Sequence, residues 1–264
     1  MLKQEVRLWP QRAPFASGPQ ASDEPCLQVY LPDPLVSTGF GMLAFAGDSH
    51  APWLDASAQT YGEWFATRGV AVIVVQARRG HDALATCADA YAALALVRAN
   101  ASGWGLGQHQ IGVMGSSTGA LLAGILCTGA GQSLLRAHGV NEVVDLSVRP
   151  SFGVFCYGML TLNDPLVPGQ GRASFLGHGQ DDVTLQQAFS PLEAVDATCP
   201  RAFIWHTLDD GVVPAENAKR FAARLLKAGV PHELHLYQKG MHGLGLARAE
   251  RLYWANDCLR WITL

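Results

Sequence analysis

A serine set between glycines, a pair of adjacent aspartates and a glycine-flanked histidine are the residues of this chain best suited to chemistry. They occur in that order. Gly115, Ser117 and Gly119 fit the pattern G-x-S-x-G, which counts only where a strand runs into a tight turn and then a helix. A serine hydroxyl is a weak nucleophile until a neutral imidazole takes its proton and a carboxylate holds that imidazole in the right tautomer. His242 supplies the imidazole and Asp209 or Asp210 the carboxylate. The chemistry such a set performs is acyl transfer through a covalent acyl-enzyme. Each residue also has a plain reading: a Gly/Ser turn, a surface turn or helix cap before Val212-Val213-Pro214, and a solvated loop histidine.

The elements that must position these residues decide between the readings. Apolar runs bounded by turn residues predict strands over 26–31, 41–46, 70–75, 111–114, 151–157, 202–206 and 231–237. The run at 231–237 alternates polar and apolar residues, as a strand nearer a sheet edge does. Helical spacing predicts helices over 56–68, 84–100, 120–126, 184–189, 215–228 and 246–261. Strands alternating with helices imply an α/β fold, with a mostly parallel central sheet covered by helices on both faces. In such sheets reactive groups gather just beyond the carboxyl ends of strands. Ser117 follows the strand at 111–114, the aspartate pair follows 202–206, and His242 follows 231–237. All three therefore fall where a site would form.

Prolines at 10, 14, 19, 25, 32 and 34 make residues 1–39 an extended N-terminal arm holding one short strand. Residues 160–183, rich in Gly and Pro, read as an irregular insert or lid. The whole of 1–264 reads as one domain. At 264 residues and 49% hydrophobic content the chain can bury a sizeable core. A net charge of −3 without a basic cluster argues against nucleic acid and anionic membranes as partners. No run approaches the ~18 apolar residues of a membrane span. The first residues lack an apolar stretch of signal-peptide length, so a soluble cytoplasmic protein is the expectation. The six cysteines show no zinc-type spacing and several lie within apolar runs, which suits reduced core thiols. His232 and His235 sit three apart on a strand and so face opposite sides, which is no metal site.

The segments around these residues resemble the α/β-hydrolases of the prolyl-oligopeptidase-like group, in particular the acetyl esterases and acetylxylan-esterase-like enzymes. The resemblance runs through Trp104-Gly105 and Ile111-Gly112-Val113-Met114-Gly115, then 146–150, then 175–191. It continues through His206-Thr207-Leu208-Asp209-Asp210-Gly211-Val212-Val213-Pro214 and Lys239-Gly240-Met241-His242-Gly243-Leu244-Gly245. It implies the α/β-hydrolase fold, with Ser117 as nucleophile, Asp210 as orienting acid and His242 as base. Asp209 is the alternative acid. It also implies a small-molecule ester as substrate, acetyl on a sugar or small alcohol being favoured, and no cofactor. Oligomeric state is left open, a homo-oligomer included.

The oxyanion formed during acyl transfer needs backbone donors. The first is the N–H of Thr118, directly after the nucleophile. The second comes from the loop after 41–46, where Gly47 and Asp48 stand in place of the family's glycine-rich run. Asp48 is an awkward neighbour for an anion, so its charge must turn away or pair with Arg78 or His50. His50, His81 and Arg78 are candidates for the pocket wall, against an ordinary loop reading. Thr118 and Leu121 depart from the small residue and the histidine usual after the serine, which leaves the substrate range more open than the reaction class. The competing functions are a peptidase of the prolyl-oligopeptidase kind and a non-catalytic binding protein on the same fold.

Overall fold

The computed structural model describes residues 1–16, 24–47, 52–76, 78, 83–163, 165–167 and 169–264, with the backbone alone at 52–58 and 169. Its strands are β1 (Leu2–Arg7), β2 (Cys26–Leu31), β3 (Gly41–Phe45), β4 (Ala71–Gln76), β5 (Ile111–Ser116), β6 (Phe152–Cys156), β7 (Arg201–Thr207) and β8 (His232–Tyr237). They form one eight-stranded sheet in the order β1-β2-β4-β3-β5-β6-β7-β8. β2 runs antiparallel to both β1 and β4. From β4 through β8 every pairing is parallel. The carboxyl ends of β3, β5, β6, β7 and β8 therefore lie along one side of the sheet.

Among the described residues the α-helices are α1 (Pro52–Ala66), α2 (Ala83–Asn100), α3 (Gly119–Thr128), α4 (Gln132–Ala137), α5 (Gly169–Leu176), α6 (Val183–Ala188), α7 (Glu216–Lys227) and α8 (Trp254–Thr263). Side chains alternate across a strand, and the core divides accordingly. Ala71, Ile73 and Val75 of β4 and Ala202 and Ile204 of β7 pack with Tyr91 and Leu94 of α2, Leu121 and Ile125 of α3, and Phe221 and Leu225 of α7. Val72 and Val74 of β4 and Phe203 and Trp205 of β7 pack on the other face with Trp64 and Phe65 of α1 and Trp254 and Trp261 of α8. Burial on both faces is why the central strands read as unbroken apolar runs. Each fully buried aliphatic or phenyl side chain contributes roughly 1.5–3 kcal/mol.

Three features differ from the expectation. Residues 1–39 are more than an arm, because Leu2–Arg7 is a strand paired along its length with β2. It is an edge strand with Lys3, Glu5 and Arg7 on it, and its largely exposed faces leave little apolar signal to read. The last helix begins at Trp254 rather than 246. Left-handed backbone at Ala247 and Arg251, with φ of 51° and 59°, breaks the helical run before it. Within 160–183 the described residues include α5 and the start of α6. Leu160 and Leu162 are wholly buried in the core there, and Leu160 N–H donates to Asn217 Oδ1 at 3.0 Å. The edge position of β8 is as expected. Among the described residues no helix is long and apolar enough to cross a membrane.

Candidate active site

Ser117 lies between the end of β5 and the start of α3, with φ of 55°. A serine in left-handed backbone costs of order 1–3 kcal/mol and persists only where its surroundings enforce it. Here Ser117 N–H donates to Cys156 O at 3.1 Å, and Ser117 O accepts from Met159 N–H at 2.9 Å and Ala120 N–H at 3.1 Å. The flanking glycines are a steric requirement. A β-carbon on Gly115 would sit 2.3 Å from Gly119 O and 2.5 Å from Ala120 Cα, and one on Gly119 would sit 2.2 Å from Phe45 O. Strand, turn and helix can converge at this point only because both positions lack a side chain.

His242 comes from the loop after β8, and its ring bridges to the other two candidates. Its Nε2 is 2.8 Å from Ser117 Oγ and its Nδ1 is 2.7 Å from Asp210 Oδ2. An ionised carboxylate can only accept, so Nδ1 carries the proton and Nε2 is left to accept from the serine hydroxyl. The ring is also held edge-on by Tyr157, with centroids 5.1 Å apart and an interplanar angle of 78°.

The side chain of Asp210 is wholly buried, and each of its oxygens accepts two hydrogen bonds. Oδ1 accepts from the N–H groups of Val212 and Val213, both at 2.9 Å. Oδ2 accepts from His242 and from Nε2 of His206 at 3.2 Å. Burial by itself would raise its pKa. The hydrogen bonds from His206, His242 and Val212 outweigh that and hold the carboxyl well below the usual carboxylate range.

Asp209 does something else. Its Oδ1 accepts from Gly240 N–H at 2.7 Å and its Oδ2 lies 3.5 Å from Lys239 Nζ. Thr207 Oγ1 donates to Gly240 O at 2.7 Å. Asp209 and Thr207 thus tie the loop after β7 to the loop after β8, and of the two aspartates only Asp210 meets the imidazole.

Of the residues expected around the oxyanion, Thr118 stands immediately before α3, with helical φ and ψ of −63° and −28°. Gly47 presses on Ser117: a β-carbon there would sit 2.9 Å from Ser117 Cβ and 3.4 Å from Ser117 Oγ. Asp48, His50 and His81 lie outside the described residues.

Arg78, expected at the pocket wall, is buried instead. Its side chain is buried against Asp89 of α2, Nε at 2.8 Å from Oδ2 and one terminal nitrogen at 2.8 Å from Oδ1. It also donates to Pro14 O and Ala85 O, and Trp9 Nε1 donates to the same Asp89 at 2.8 Å. The arginine joins the N-terminal segment to the body of the fold, with its charge paired to Asp89.

Several residues at the site escaped the sequence reading. Tyr61 and Tyr157 share a hydrogen bond of 3.1 Å beneath it, and Ser116 Oγ donates to Tyr61 at 3.3 Å. Burial pushes the Tyr157 phenol up to about 12 and raises that of Tyr61 well above its ordinary value, so both stay neutral. Gly171 of α5 passes close to Thr118, its hypothetical β-carbon 3.4 Å from Thr118 Cγ2. His206 enters the sequence reading only as the end of the strand at 202–206 and the start of the resembling segment; its signal is a histidine ending an otherwise apolar strand, four residues before Asp210.

An eight-stranded, mostly parallel sheet with a serine on a strained strand–helix turn defines the α/β-hydrolase class. Residues 45–225, more than half of the chain, match the BD-FAE family, and the chain belongs to it. The chain is 27% identical over 187 residues to an acetylxylan esterase of Xylanibacter ruminicola, covering 69% of this chain and 36% of that protein. It is 30% identical over 162 residues to endo-1,4-beta-xylanase B of Butyrivibrio fibrisolvens, covering 61% of this chain and 25% of that one. The chain thus spans about a quarter to a third of the length of these curated relatives. Among solved structures, an acetyl ester-xyloside bifunctional hydrolase from Caldicellulosiruptor lactoaceticus superimposes with a TM-score of 0.81 at 29% identity, over 98% of this chain and 94% of that one. A propionate-bound esterase, Est2, from Thermogutta terrifontis shares the fold, with a TM-score of 0.75 at 22% identity over 98% and 91% of the two chains.

Proposed function

We propose that this protein is a serine esterase that removes short acyl groups, acetyl foremost, from small saccharides through an acyl-enzyme. The observation that carries the reading is the unbroken hydrogen-bonded chain from Ser117 Oγ through His242 to Asp210, at 2.8 and 2.7 Å. In this mechanism Ser117 Oγ attacks the ester carbonyl and its proton passes to His242 Nε2. Asp210, ionised and fully hydrogen-bonded, stabilises the imidazolium without taking its proton. The backbone N–H of Thr118, with one from the Gly47–Asp48 segment, receives the oxyanion. His242 then gives its proton to the departing alcohol, and a water molecule activated by the same ring releases the acid. Side chains and backbone suffice for every step, so the reading calls on no cofactor.

The acyl and alcohol parts rest on the relatives. An acetylxylan esterase and an acetyl ester-xyloside hydrolase both point to acetyl carried on a xylose-type sugar. The test is a series of 4-nitrophenyl esters of increasing chain length, beside acetylated xylo-oligosaccharides, acetylated polymeric xylan and proline anilides. The reading expects kcat/KM to be greatest at acetyl and acetate to be released from the oligosaccharides. A maximum at long acyl chains would contradict acetyl specificity. Preferential cleavage of the proline anilides would favour a peptidase.

A further inference from the structure

We infer that His206 is a positioning residue of the triad, whose ring holds Asp210 in the orientation that presents Oδ2 to His242; the inference rests on the esterase reading above. His206 stands near the end of β7, wholly buried. Its Nε2 lies 2.9 Å from Val213 O and 3.2 Å from Asp210 Oδ2. Both partners are acceptors, so Nε2 bears a proton shared between them. A second proton on Nδ1 would be buried without an acceptor, since Nδ1 has no hydrogen-bond partner among the described residues. The proton on Nε2 therefore brings the acid a donor from the strand side.

The placement is costly for folding alone. A buried ring nitrogen without a partner carries a desolvation penalty that an apolar side chain of similar size would avoid. What the imidazole provides is geometry. Val212 and Val213 fix only Oδ1 of Asp210. Without His206, Oδ2 would keep only His242 as partner among the described residues, and the carboxylate would be held from the protein side at Oδ1 alone. With His206, Oδ2 is held from the rigid strand side, and the same N–H grips Val213 O at the far end of the turn. The acid, its turn and the end of β7 then move as one body, which keeps Oδ2 in line with Nδ1. A near-attack arrangement of serine and imidazole is sensitive to errors of this size, with a displacement of ~1 Å costing about 10²-fold in rate.

The experiment compares His206→Gln, His206→Asn and His206→Phe in the full chain. It measures kcat and KM on 4-nitrophenyl acetate and the rate of Ser117 labelling by a fluorophosphonate, with thermal unfolding followed in parallel. A glutamine amide nitrogen can stand near the Nε2 position, whereas that of asparagine stands nearer Nδ1 and falls short of Asp210. The inference expects His206→Phe and His206→Asn to lose about 10²-fold in kcat with KM little changed. It expects His206→Gln to recover at least about tenfold of that loss, with labelling rates following kcat. If the phenylalanine variant does not fold, the glutamine and asparagine pair decides the matter alone. Equal kcat in that pair, whether near wild type or equally low, overturns the inference. So does a loss confined to KM. Wild-type enzyme that labels at Ser117 while the variants keep full kcat removes the role of His206 and leaves the esterase reading intact. Wild-type enzyme that neither labels nor turns over removes both.

Discussion

Gly47 and Ser117 belong to different strand-end loops yet touch so closely that a β-carbon on Gly47 would lie 2.9 Å from Ser117 Cβ. The contact follows from the sheet. β3 and β5 are parallel neighbours with Phe45 paired to Gly115, so the chain leaving β3 emerges directly beside the serine turn. Gly119 completes the convergence by lying against Phe45 O. The end of β3, the serine turn and the start of α3 thus meet around one hydroxyl, with glycine at 47 and 119 where they touch.

Gly47→Ala therefore displaces either the nucleophile or the backbone that is proposed to face the oxyanion. Loss of one oxyanion donor costs ~10²–10³ in kcat, and the expected loss is of that order. Because residue 47 lies beyond the end of β3, the unfolding temperature should change little. Steady-state kinetics beside a thermal melt check both halves, and an alanine variant with wild-type kcat would show that this contact does not matter to catalysis.

Asp209 and Asp210 are adjacent but should respond very differently to amidation. Asp210→Asn loses the charge that stabilises the imidazolium and reverses the donor pattern at Nδ1, for an expected loss of about 10⁴ in kcat. Asp209→Asn keeps an oxygen that can still accept from Gly240 N–H and should stay within about tenfold of wild type, the order of a single exposed hydrogen bond of ~1 kcal/mol. Comparing kcat for the two variants is the check. A greater loss from Asp209→Asn would reassign the acid.

Arg78 should matter to folding rather than to turnover. Its ion pair with Asp89 is buried, and removing one partner of such a pair leaves an uncompensated charge at a cost of roughly 3–5 kcal/mol. Arg78→Ala is expected to unfold at markedly lower denaturant concentration while the folded fraction keeps near-normal kcat. Normal stability with altered KM would instead bring Arg78 back to the pocket.

How far the sequence led can be judged residue by residue. The central strands were legible because burial on both faces leaves runs such as Ala71-Val72-Ile73-Val74-Val75 with no polar interruption. The serine turn was legible because its steric demand falls on residue type, glycine at 115 and 119. β1 was not, since an exposed edge strand needs little apolar content to pair. The interruption of the last helix at Ala247 and Arg251 was hidden for another reason: neither residue type favours left-handed backbone, so no local propensity announces it. The choice between Asp209 and Asp210 could not be made from spacing alone. It depends on how the turn after β7 is stitched, through Asp209 to Gly240 and through the Val212 and Val213 N–H groups to Asp210. Arg78 was misplaced because its partner, Asp89, stands in a helix 11 residues on and carried no sign of burial. His206 went unassigned because its role appears only when β7 and the acid turn are seen folded back on each other.

The most direct measurement of the central claim is covalent labelling of the folded protein with a fluorophosphonate, read by intact mass and peptide mapping. The account predicts one adduct per chain, on Ser117, absent from Ser117→Ala and strongly slowed in Asp210→Asn. Folded wild-type protein that takes no label, or takes it on another residue, would contradict it.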